Sequence, residues 1–416
     1  MFFFVCVSEL DRNIAREIIE SLNKGNPPAR GLEYFTVGLD DYLQVIEKEY
    51  LSTYIKNGGS GFKAVIAQYG QGKTHFLYAI RNLACNNNYV VSYATLSPDE
   101  TPFHKLELVY SQIARRICPP SKDASSLEQG FRSVLTYWYQ TKIDEFKGKG
   151  LEGEQLSNAI NQYLEGIKGL ESLSFERAVR LCFKFLHEGK DEDFENVVTW
   201  LQGEGYDASY KKKYGLMHKV DRSHAMQMLR SLAKWVHIAG FSGLVLLFDE
   251  TESQPSFSTR QKESLLNNLR QLIDETTNPN FGHVMLFYSF PGLDFLQSKS
   301  LTYEALKQRL ETVFEFKNPY GVRIELEPQN EKVVEQLIEL GIKLSKVYAV
   351  AYDCSFDQNN LQTSIKTLAE ACYRERYGGG LRRRFVQASI KVFSELRQNA
   401  NFVLTQDEAE KLAKGG

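Results

Sequence analysis

One stretch of the sequence decides the fold: Ala67-Gln68-Tyr69-Gly70-Gln71-Gly72-Lys73-Thr74, which matches the phosphate-binding pattern GxxxxGK[ST] from its second position onward. Gly70 and Gly72 permit positive φ angles and leave backbone N–H groups bare, so the loop can wrap phosphate oxygens. Lys73 supplies a positive charge for the β- and γ-phosphates, and the Thr74 hydroxyl is a ligand for Mg²⁺. We therefore predict a nucleotide site at this loop.

The residues around the loop have the pattern that the motif needs. Residues 62–67 form a short apolar strand, residues 74–84 a helix, and residues 89–94 a second strand. This order of strand, loop, helix and strand opens an α/β fold with a parallel sheet. Ala67 stands at the first glycine position of the pattern, where alanine fits if its φ stays negative.

A second apolar run, 243–248, ends in two carboxylates, Asp249 and Glu250. An unbroken run of this kind is typical of a central parallel strand buried on both faces. A carboxylate at the tip of a strand neighbouring the loop can hold Mg²⁺, and the next one can polarise the attacking water. We predict Asp249 with Thr74 as magnesium ligands and Glu250 as general base; an ordinary strand before an acidic turn is the alternative.

Two polar residues further along fit the same chemistry, and each has a structural alternative. Ser289 ends a strand predicted at 283–289, where it either reports the γ-phosphate or satisfies local backbone groups. Arg309, in a helical stretch, is a candidate finger for the γ-phosphate of a neighbouring subunit. The alternative for Arg309 is a solvated arginine at a helix end.

Arg382, Arg383 and Arg384 follow three glycines and open the last long predicted helix, 381–397. Three positive charges at the amino end of a helix oppose its macrodipole, so the turn is unfavourable without an anion. A bound phosphate or the carboxylates of a partner would supply one. The alternative is a solvated basic turn.

The pattern divides the chain into four stretches. From 119 to 225 it is polar and helical, and after Pro328 it is purely helical. We predict an α/β fold: a P-loop parallel-sheet core, a large helical insertion and a C-terminal all-α lid domain. The predicted boundaries are 1–118 for an N-terminal helix with the first part of the core, 119–235 for the insertion, 236–326 for the second part of the core and 327–416 for the lid.

The composition is that of an ordinary globular protein, with a net charge of -2 and a pI of about 6.4. This charge is not the strongly basic one that is typical of nucleic-acid-binding domains. The short run Lys211-Lys212-Lys213 is a candidate contact with a nucleic-acid backbone, but a run of this length is more often simply solvated. The six cysteines form no CxxC pair, which indicates free thiols in a reducing compartment. No apolar stretch reaches the roughly 18 residues of a membrane span. We expect a cytoplasmic protein without a membrane partner.

The order of glycine loop, acidic strand tip, strand-end polar residue and two arginine positions resembles the AAA+ ATPases, most closely their origin-recognition and initiator-like branch. The segment 35–43 resembles the turn of that branch that lines the adenine pocket. Gly379-Gly380-Leu381-Arg382 resembles the second sensor of the lid. The resemblance implies that Val37 and Gly38 contact the nucleotide and that Arg382 senses it.

A narrower resemblance rests on three segments, 15–28, 69–77 and 239–252. Together they resemble the ATP-binding P-loop proteins of bacterial BREX antiphage systems. This resemblance implies binding and hydrolysis of ATP with Mg²⁺, a nucleotide contact for His75, and assembly into a homo-oligomer. It also implies work beside a helicase or other defence proteins, with any DNA contact made through the core or the insertion.

Two functional hypotheses follow. In the first, the protein is an ATP-driven switch or motor subunit in which Lys73, Thr74, Asp249 and Glu250 carry the reaction and Arg309 acts in trans. In the second, it is a nucleotide-stabilised scaffold that binds ATP with little turnover and recruits proteins through its insertion. Glu250 favours the first, since a pure binder needs no water-activating carboxylate. A metabolite kinase fits the size and the insertion less well.

Overall fold

The computed structural model describes residues 10–97, 101–121, 129–250, 258–292, 296–298, 300–326, 332–376 and 380–415. The strands in these parts form one six-stranded sheet. They are β1 (Ser60–Ile66), β2 (Tyr89–Leu96), β3 (Ile117–Cys118), β4 (Gly243–Glu250), β5 (Val284–Phe290) and β6 (Arg323–Glu325). The order across the sheet is β3-β2-β4-β5-β1-β6, and only the β2–β3 pair is antiparallel. The predicted α/β class with a parallel core is confirmed.

The described α-helices are α1 (Arg12–Asn23), α2 (Asp40–Val45), α3 (Lys73–Asn86), α4 (Leu106–Arg116), α5 (Phe131–Gly148), α6 (Gly153–Gly166), α7 (Leu173–Glu188), α8 (Asp191–Leu201), α9 (Ala208–Tyr214), α10 (Ala225–Ile238), α11 (Thr259–Glu275), α12 (Leu301–Arg309), α13 (Val333–Tyr352), α14 (Gln358–Arg374), α15 (Leu381–Gln398) and α16 (Gln406–Ala413). A π-helical stretch, Ile46–Tyr54, continues α2, and 3-10 turns span Leu32–Tyr34 and Pro279–Phe281. The predicted helical insertion and helical C-terminal region are both observed.

The prediction that the acidic strand neighbours the glycine-loop strand is wrong. β5 lies between β1 and β4 and pairs in parallel with both. In register, Ser289 of β5 is opposite Val65 of β1 on one side and Asp249 of β4 on the other. The intervening strand therefore brings Ser289 to the side of Asp249.

The strand β4 is buried on both faces, as its unbroken apolar run predicts. Side chains alternate across a strand, so its residues divide between two cores. Leu244, Leu246 and Phe248 join a cluster that includes the insertion helices, whereas Val245 and Leu247 join a cluster with α3 and β1. The insertion is thus packed as part of the sheet's own hydrophobic core.

The N-terminal helix α1 packs with the C-terminal helices. Its apolar face shares one core with α13, α14, α15 and α16. Asp11 caps α1 by accepting hydrogen bonds from the N–H groups of Asn13 and Ile14. The four domain boundaries themselves stay a prediction.

Five cysteines fall in the described parts of the chain, and all are free thiols, four of them buried. The expectation of free thiols therefore holds for these five residues. No helix in the described parts combines the length and apolar character that a membrane crossing requires.

Candidate nucleotide-binding site

The glycine loop connects β1 to α3 through two residues in the left-handed region. Gly70 has φ 68° and Gly72 has φ 101°. Gly72 directly precedes α3, a helix of 14 residues that no side chain caps. A Cβ on Gly72 would meet no atom within 4 Å, so there is open space at the positive end of this helix. Such a helix end is an anion site.

Lys73 is buried beneath the loop. Its ammonium donates hydrogen bonds to the carbonyl oxygens of Ala67, at 2.8 Å, and Gln68, at 3.2 Å. Ala67 is not among the described residues with positive φ, as the prediction for this position requires. The two carbonyl groups of the loop thus hold the Lys73 ammonium in a fixed position.

Asp249 collects three hydroxyl donors at the carboxyl edge of the sheet. Thr74 Oγ1 donates to its Oδ2 at 2.7 Å, and Ser289 Oγ donates to its Oδ1 at 2.7 Å. The Tyr93 hydroxyl, from β2, donates to Oδ2 as well. The sequence predicted that Thr74 and Asp249 lie together, but it predicted neither the hydrogen bond from Ser289 to Asp249 nor the one from Tyr93. Because Asp249 is 7% exposed, these bonds fix the orientation of its carboxylate.

Glu250 lies beside Asp249 but has its own partner. The Tyr288 hydroxyl donates to Oε2 at 2.9 Å, and the Glu250 N–H donates to Ser289 Oγ at 3.3 Å. Burial raises the pKa of the Glu250 carboxyl to about 8, against the opposing effect of the Tyr288 hydrogen bond. At neutral pH the carboxyl therefore holds a proton until a cation or a change of surroundings favours the carboxylate.

The glycine loop, Thr74, Asp249 and Glu250 line a cleft of about 690 Å³. Apolar side chains from α1 and the turns after it, and from the helices α13 and α15, complete the lining. They are Leu22, Pro27, Phe35, Val37, Val333, Leu337, Leu340, Leu381 and Val386. A cavity of this size, lined by a glycine loop, carboxylates and apolar side chains, has room for a nucleotide.

Arg382 and His75 also line the cleft. Arg382 Nη2 donates to Gln336 Oε1 at 2.9 Å. His75 Nε2 lies 2.8 Å from Thr36 Oγ1. Burial, with the charge of Arg382, lowers the pKa of His75 to about 4, so its imidazole is neutral at pH 7.

Gly38 does not line the cleft, in contrast to Val37. It has φ 75°, and a Cβ there would lie 2.9 Å from Gln336 Nε2. Its missing side chain makes room for the amide that holds Arg382. The nucleotide contact of Gly38 stays a prediction.

The three arginines that open α15 each have a protein partner. Arg383 stacks over the ring of Tyr69, 5.1 Å from its centroid, and donates to its hydroxyl. Arg384 donates to the carbonyl oxygens of Glu375, at 2.8 Å, and Ala413, at 3.1 Å. Protein groups therefore hold these side chains, and the bound anion that the sequence suggested for this turn stays a prediction.

The amino end of α15 also contacts the glycine loop through the backbone. Gly380 N donates to Tyr69 O at 3.0 Å, and Arg383 N donates to Gly70 O at 3.4 Å. We call these four residues the loop–α15 contact. It joins the glycine loop to the C-terminal helices at the wall of the cleft.

Arg309 does not reach the cleft of its own chain. Its guanidinium donates to both carboxylate oxygens of Asp274, at 2.6 and 3.2 Å, and to Ala305 O at 2.8 Å. Arg309 is therefore an ion-paired residue on α12 in this structure. Its action in trans stays a prediction.

The comparison with family models supplies the family. Residues 10–411 match the model described as BREX system ATP-binding protein BrxC/D. No curated protein and no solved structure matches the chain. The match covers nearly the whole sequence, including the glycine loop, both carboxylates and the C-terminal helices. The chain therefore belongs to the BrxC/BrxD family of BREX system ATP-binding proteins.

Proposed function

We propose that the protein is a magnesium-dependent AAA+ ATPase that acts as a switch or motor subunit of a BREX system. The observation that carries this proposal is the convergence of Thr74, Asp249, Ser289 and Glu250 at the mouth of a glycine loop. A protein that only held ATP would need the loop and the apolar wall. It would not need a second carboxylate beside the proposed magnesium ligand.

The donor set fits Mg²⁺. The Thr74 hydroxyl and the Asp249 carboxylate are hard oxygen donors, and they already lie 2.7 Å apart. These two residues would hold the ion, which neutralises phosphate charge when it is bound. Ser289 and Tyr93 keep the Asp249 carboxylate oriented toward Thr74.

The other residues have separate roles in the proposed reaction. Lys73 and the uncapped amino end of α3 bind phosphate oxygens. Glu250 takes a proton from the attacking water once its carboxyl is ionised. Tyr288 holds that carboxyl in place. Arg382, which lines the cleft, contacts the nucleotide from α15.

The test compares Glu250→Gln with wild type for binding of a fluorescent ATP analogue and for release of phosphate. We expect Glu250→Gln to bind the nucleotide within about threefold of wild type and to lose at least about a hundredfold in turnover, as removal of a general base does. Glu165→Gln, an exposed position on α6, is the matched control. Equal turnover in wild type and Glu250→Gln would remove Glu250 from the reaction.

Assembly is the second element of the proposal. Arg309 lies outside the cleft of its own chain, so it can serve only the site of another copy. Turnover per chain should then rise with protein concentration, and Arg309→Ala should abolish the rise. Turnover that is independent of concentration would leave Arg309 with its ion pair to Asp274 as its only role. Other BREX proteins, such as a helicase, are the expected further partners.

One observation favours the scaffold as the alternative function. The Glu250 carboxyl is held by Tyr288 and has a pKa of about 8, so it is a poor base at neutral pH as it stands. In a scaffold, wild type would bind ATP tightly and release almost no phosphate at any protein concentration. The same turnover assay therefore separates the two functions.

A further inference from the structure

A row of side chains connects Asp249 to the core that α1 shares with the C-terminal helices. The row runs through Tyr93 on β2, Tyr78 and Arg81 on α3, and the carbonyl group of Ala29 after α1. We call it the tyrosine row. The described residues that line the nucleotide cleft include none of Tyr93, Tyr78 and Arg81. The row therefore meets the cleft only at Asp249.

The first contact of the tyrosine row is the hydrogen bond from Tyr93 to Asp249. Tyr93 Oη donates to Oδ2, the carboxylate oxygen that also accepts from Thr74 Oγ1. Burial, together with the negative charge of Asp249 and the neighbouring Tyr78, raises the pKa of Tyr93 far above its usual range. The Tyr93 hydroxyl therefore keeps its proton and stays a donor at neutral pH.

Tyr93 gains importance once Thr74 serves as a metal ligand. Thr74 would then turn its hydroxyl oxygen toward Mg²⁺, so its proton would no longer point at Asp249. Ser289 still donates to Oδ1, and Tyr93 is then the one donor to Oδ2 among the described residues. Partners that orient a metal ligand in this way contribute about 10–100-fold to metal affinity.

Tyr78 supports Tyr93 from the glycine-loop helix α3. The two rings meet edge-on, with centroids 4.9 Å apart and an angle of 60° between their planes. Tyr93 is half-buried and packs against the core of α3 and β1, whereas Tyr78 packs against the core of α1 and the C-terminal helices. The contact between the two rings thus joins these two cores.

Arg81 holds Tyr78 from its other side. Its guanidinium lies over the Tyr78 ring, 4.6 Å from the centroid, and its Nη2 donates to Ala29 O. Arg81 is 6% exposed, and a cation–π contact is strongest where water is excluded. Ala29 follows α1, whose apolar face belongs to the C-terminal helical core. A displacement of that core would therefore displace Tyr78.

We propose that Tyr93 is a positioning residue for the metal ligand Asp249 and that Tyr78 keeps Tyr93 in place. The affinity of the site for Mg²⁺ then depends on how α3 packs against the C-terminal helical core. Nucleotide binding without metal does not depend on either tyrosine, since neither lines the cleft. The inference rests on the proposed function, in which Asp249 and Thr74 hold Mg²⁺.

The test measures the binding of a fluorescent, non-hydrolysable ATP analogue while Mg²⁺ is titrated, and again in EDTA. The two readouts are the Mg²⁺ concentration at the midpoint of the titration and the Kd in EDTA. Tyr93→Phe removes one hydroxyl and keeps the ring. The matched control is Tyr89→Phe at the start of the same strand, which loses the buried hydrogen bond from Tyr89 Oη to Leu51 O.

We expect Tyr93→Phe to raise the midpoint at least about tenfold and to keep the Kd in EDTA within about twofold of wild type. Tyr89→Phe should match wild type in both readouts. An unchanged midpoint in Tyr93→Phe, or an equal loss of affinity with Mg²⁺ and in EDTA, would overturn the inference alone. A wild type that does not respond to Mg²⁺ would refute the magnesium site of the proposed function and the inference with it.

A double-mutant cycle tests the role of Tyr78. Tyr78→Ala should raise the midpoint at least about threefold in wild type but should add nothing to Tyr93→Phe, because a residue that acts through another is not additive with it. Tyr78→Leu keeps an apolar side chain and replaces the alanine variant if that variant fails to fold. Shifts that add in the double variant would overturn the proposed action of Tyr78 through Tyr93.

Discussion

The loop–α15 contact gives a sharp prediction for Gly70→Ala. Gly70 has φ 68°, and a Cβ there would lie 2.7 Å from the Gly380 Cα. Gly150, after α5, has φ 76°, but a Cβ there would meet no atom within 4 Å. The two glycines therefore share the left-handed backbone and differ in what surrounds them.

The free energies follow from this comparison. Alanine in the left-handed region costs about 1–2 kcal/mol, and both variants bear that cost. Only Gly70→Ala also pushes against backbone, and it breaks the bonds from Gly380 N and Arg383 N, each of which contributes about 1 kcal/mol. We expect Gly70→Ala to lower the free energy of unfolding by about 3–4 kcal/mol, and Gly150→Ala by about 1–2 kcal/mol.

Denaturant unfolding and titration with a fluorescent nucleotide measure this difference. Gly150→Ala should bind nucleotide as wild type does. Gly70→Ala should bind nucleotide at least about tenfold more weakly. This loss corresponds to about 1.4 kcal/mol of binding free energy, which a distorted glycine loop would forfeit. If the two variants lose the same stability and both keep wild-type affinity, the glycine loop and α15 are not in contact in solution, and the reasoning is refuted.

Three further predictions concern the core and the magnesium ligands. Lys63, whose ammonium donates to Tyr50 Oη and to two carbonyl oxygens, is 1% exposed, and burial lowers its pKa to about 7. Between pH 7 and 10.5 the unfolded chain therefore binds more protons than the folded one. In that window the free energy of unfolding of wild type should rise with pH, relative to that of Lys63→Met, by up to about 1.4 kcal/mol per pH unit. Urea unfolding at a series of pH values measures this difference. Trp138 packs on Trp235 in the core shared by the insertion and the sheet. Trp138→Ala should lower the free energy of unfolding by about 3–5 kcal/mol while the protein still unfolds in a single transition. A separate transition at lower denaturant concentration would contradict the shared core. Thr74→Ala should weaken nucleotide binding in Mg²⁺ but not in EDTA, as measured by titration, whereas equal weakening in both would contradict a metal-ligand role.

The sequence by itself predicted the chemistry proposed for the glycine loop. The loop, Lys73 and Thr74 are contiguous, and their proposed roles follow from backbone freedom, charge and a hydroxyl at fixed spacing. The positions of Asp249 and Glu250 could also be predicted, because an unbroken apolar run indicates a buried strand, and the residues that end such a strand lie at the edge of the sheet. These signals need no knowledge of distant contacts.

The tertiary structure alone decided which strand lies between the loop and the acidic residues. Strand order depends on long-range packing that no local pattern encodes. The same is true of Tyr93 and Tyr288, whose hydroxyls orient Asp249 and Glu250 from other strands. From the sequence pattern of a strand, a tyrosine that orients a carboxylate cannot be distinguished from a tyrosine that only packs in the core.

The roles of the arginines were also decided by the fold. Arg382, Arg383 and Arg384 are adjacent in sequence, but the helix turns each by about 100° from the next, as 3.6 residues per turn require. Arg382 and Arg383 both line the cleft, where Arg383 also contacts Tyr69 of the glycine loop, whereas Arg384 donates to the carbonyl groups of Glu375 and Ala413. The sequence determined that this turn is basic, and only the packing of α15 against the glycine loop determined what each charge contacts.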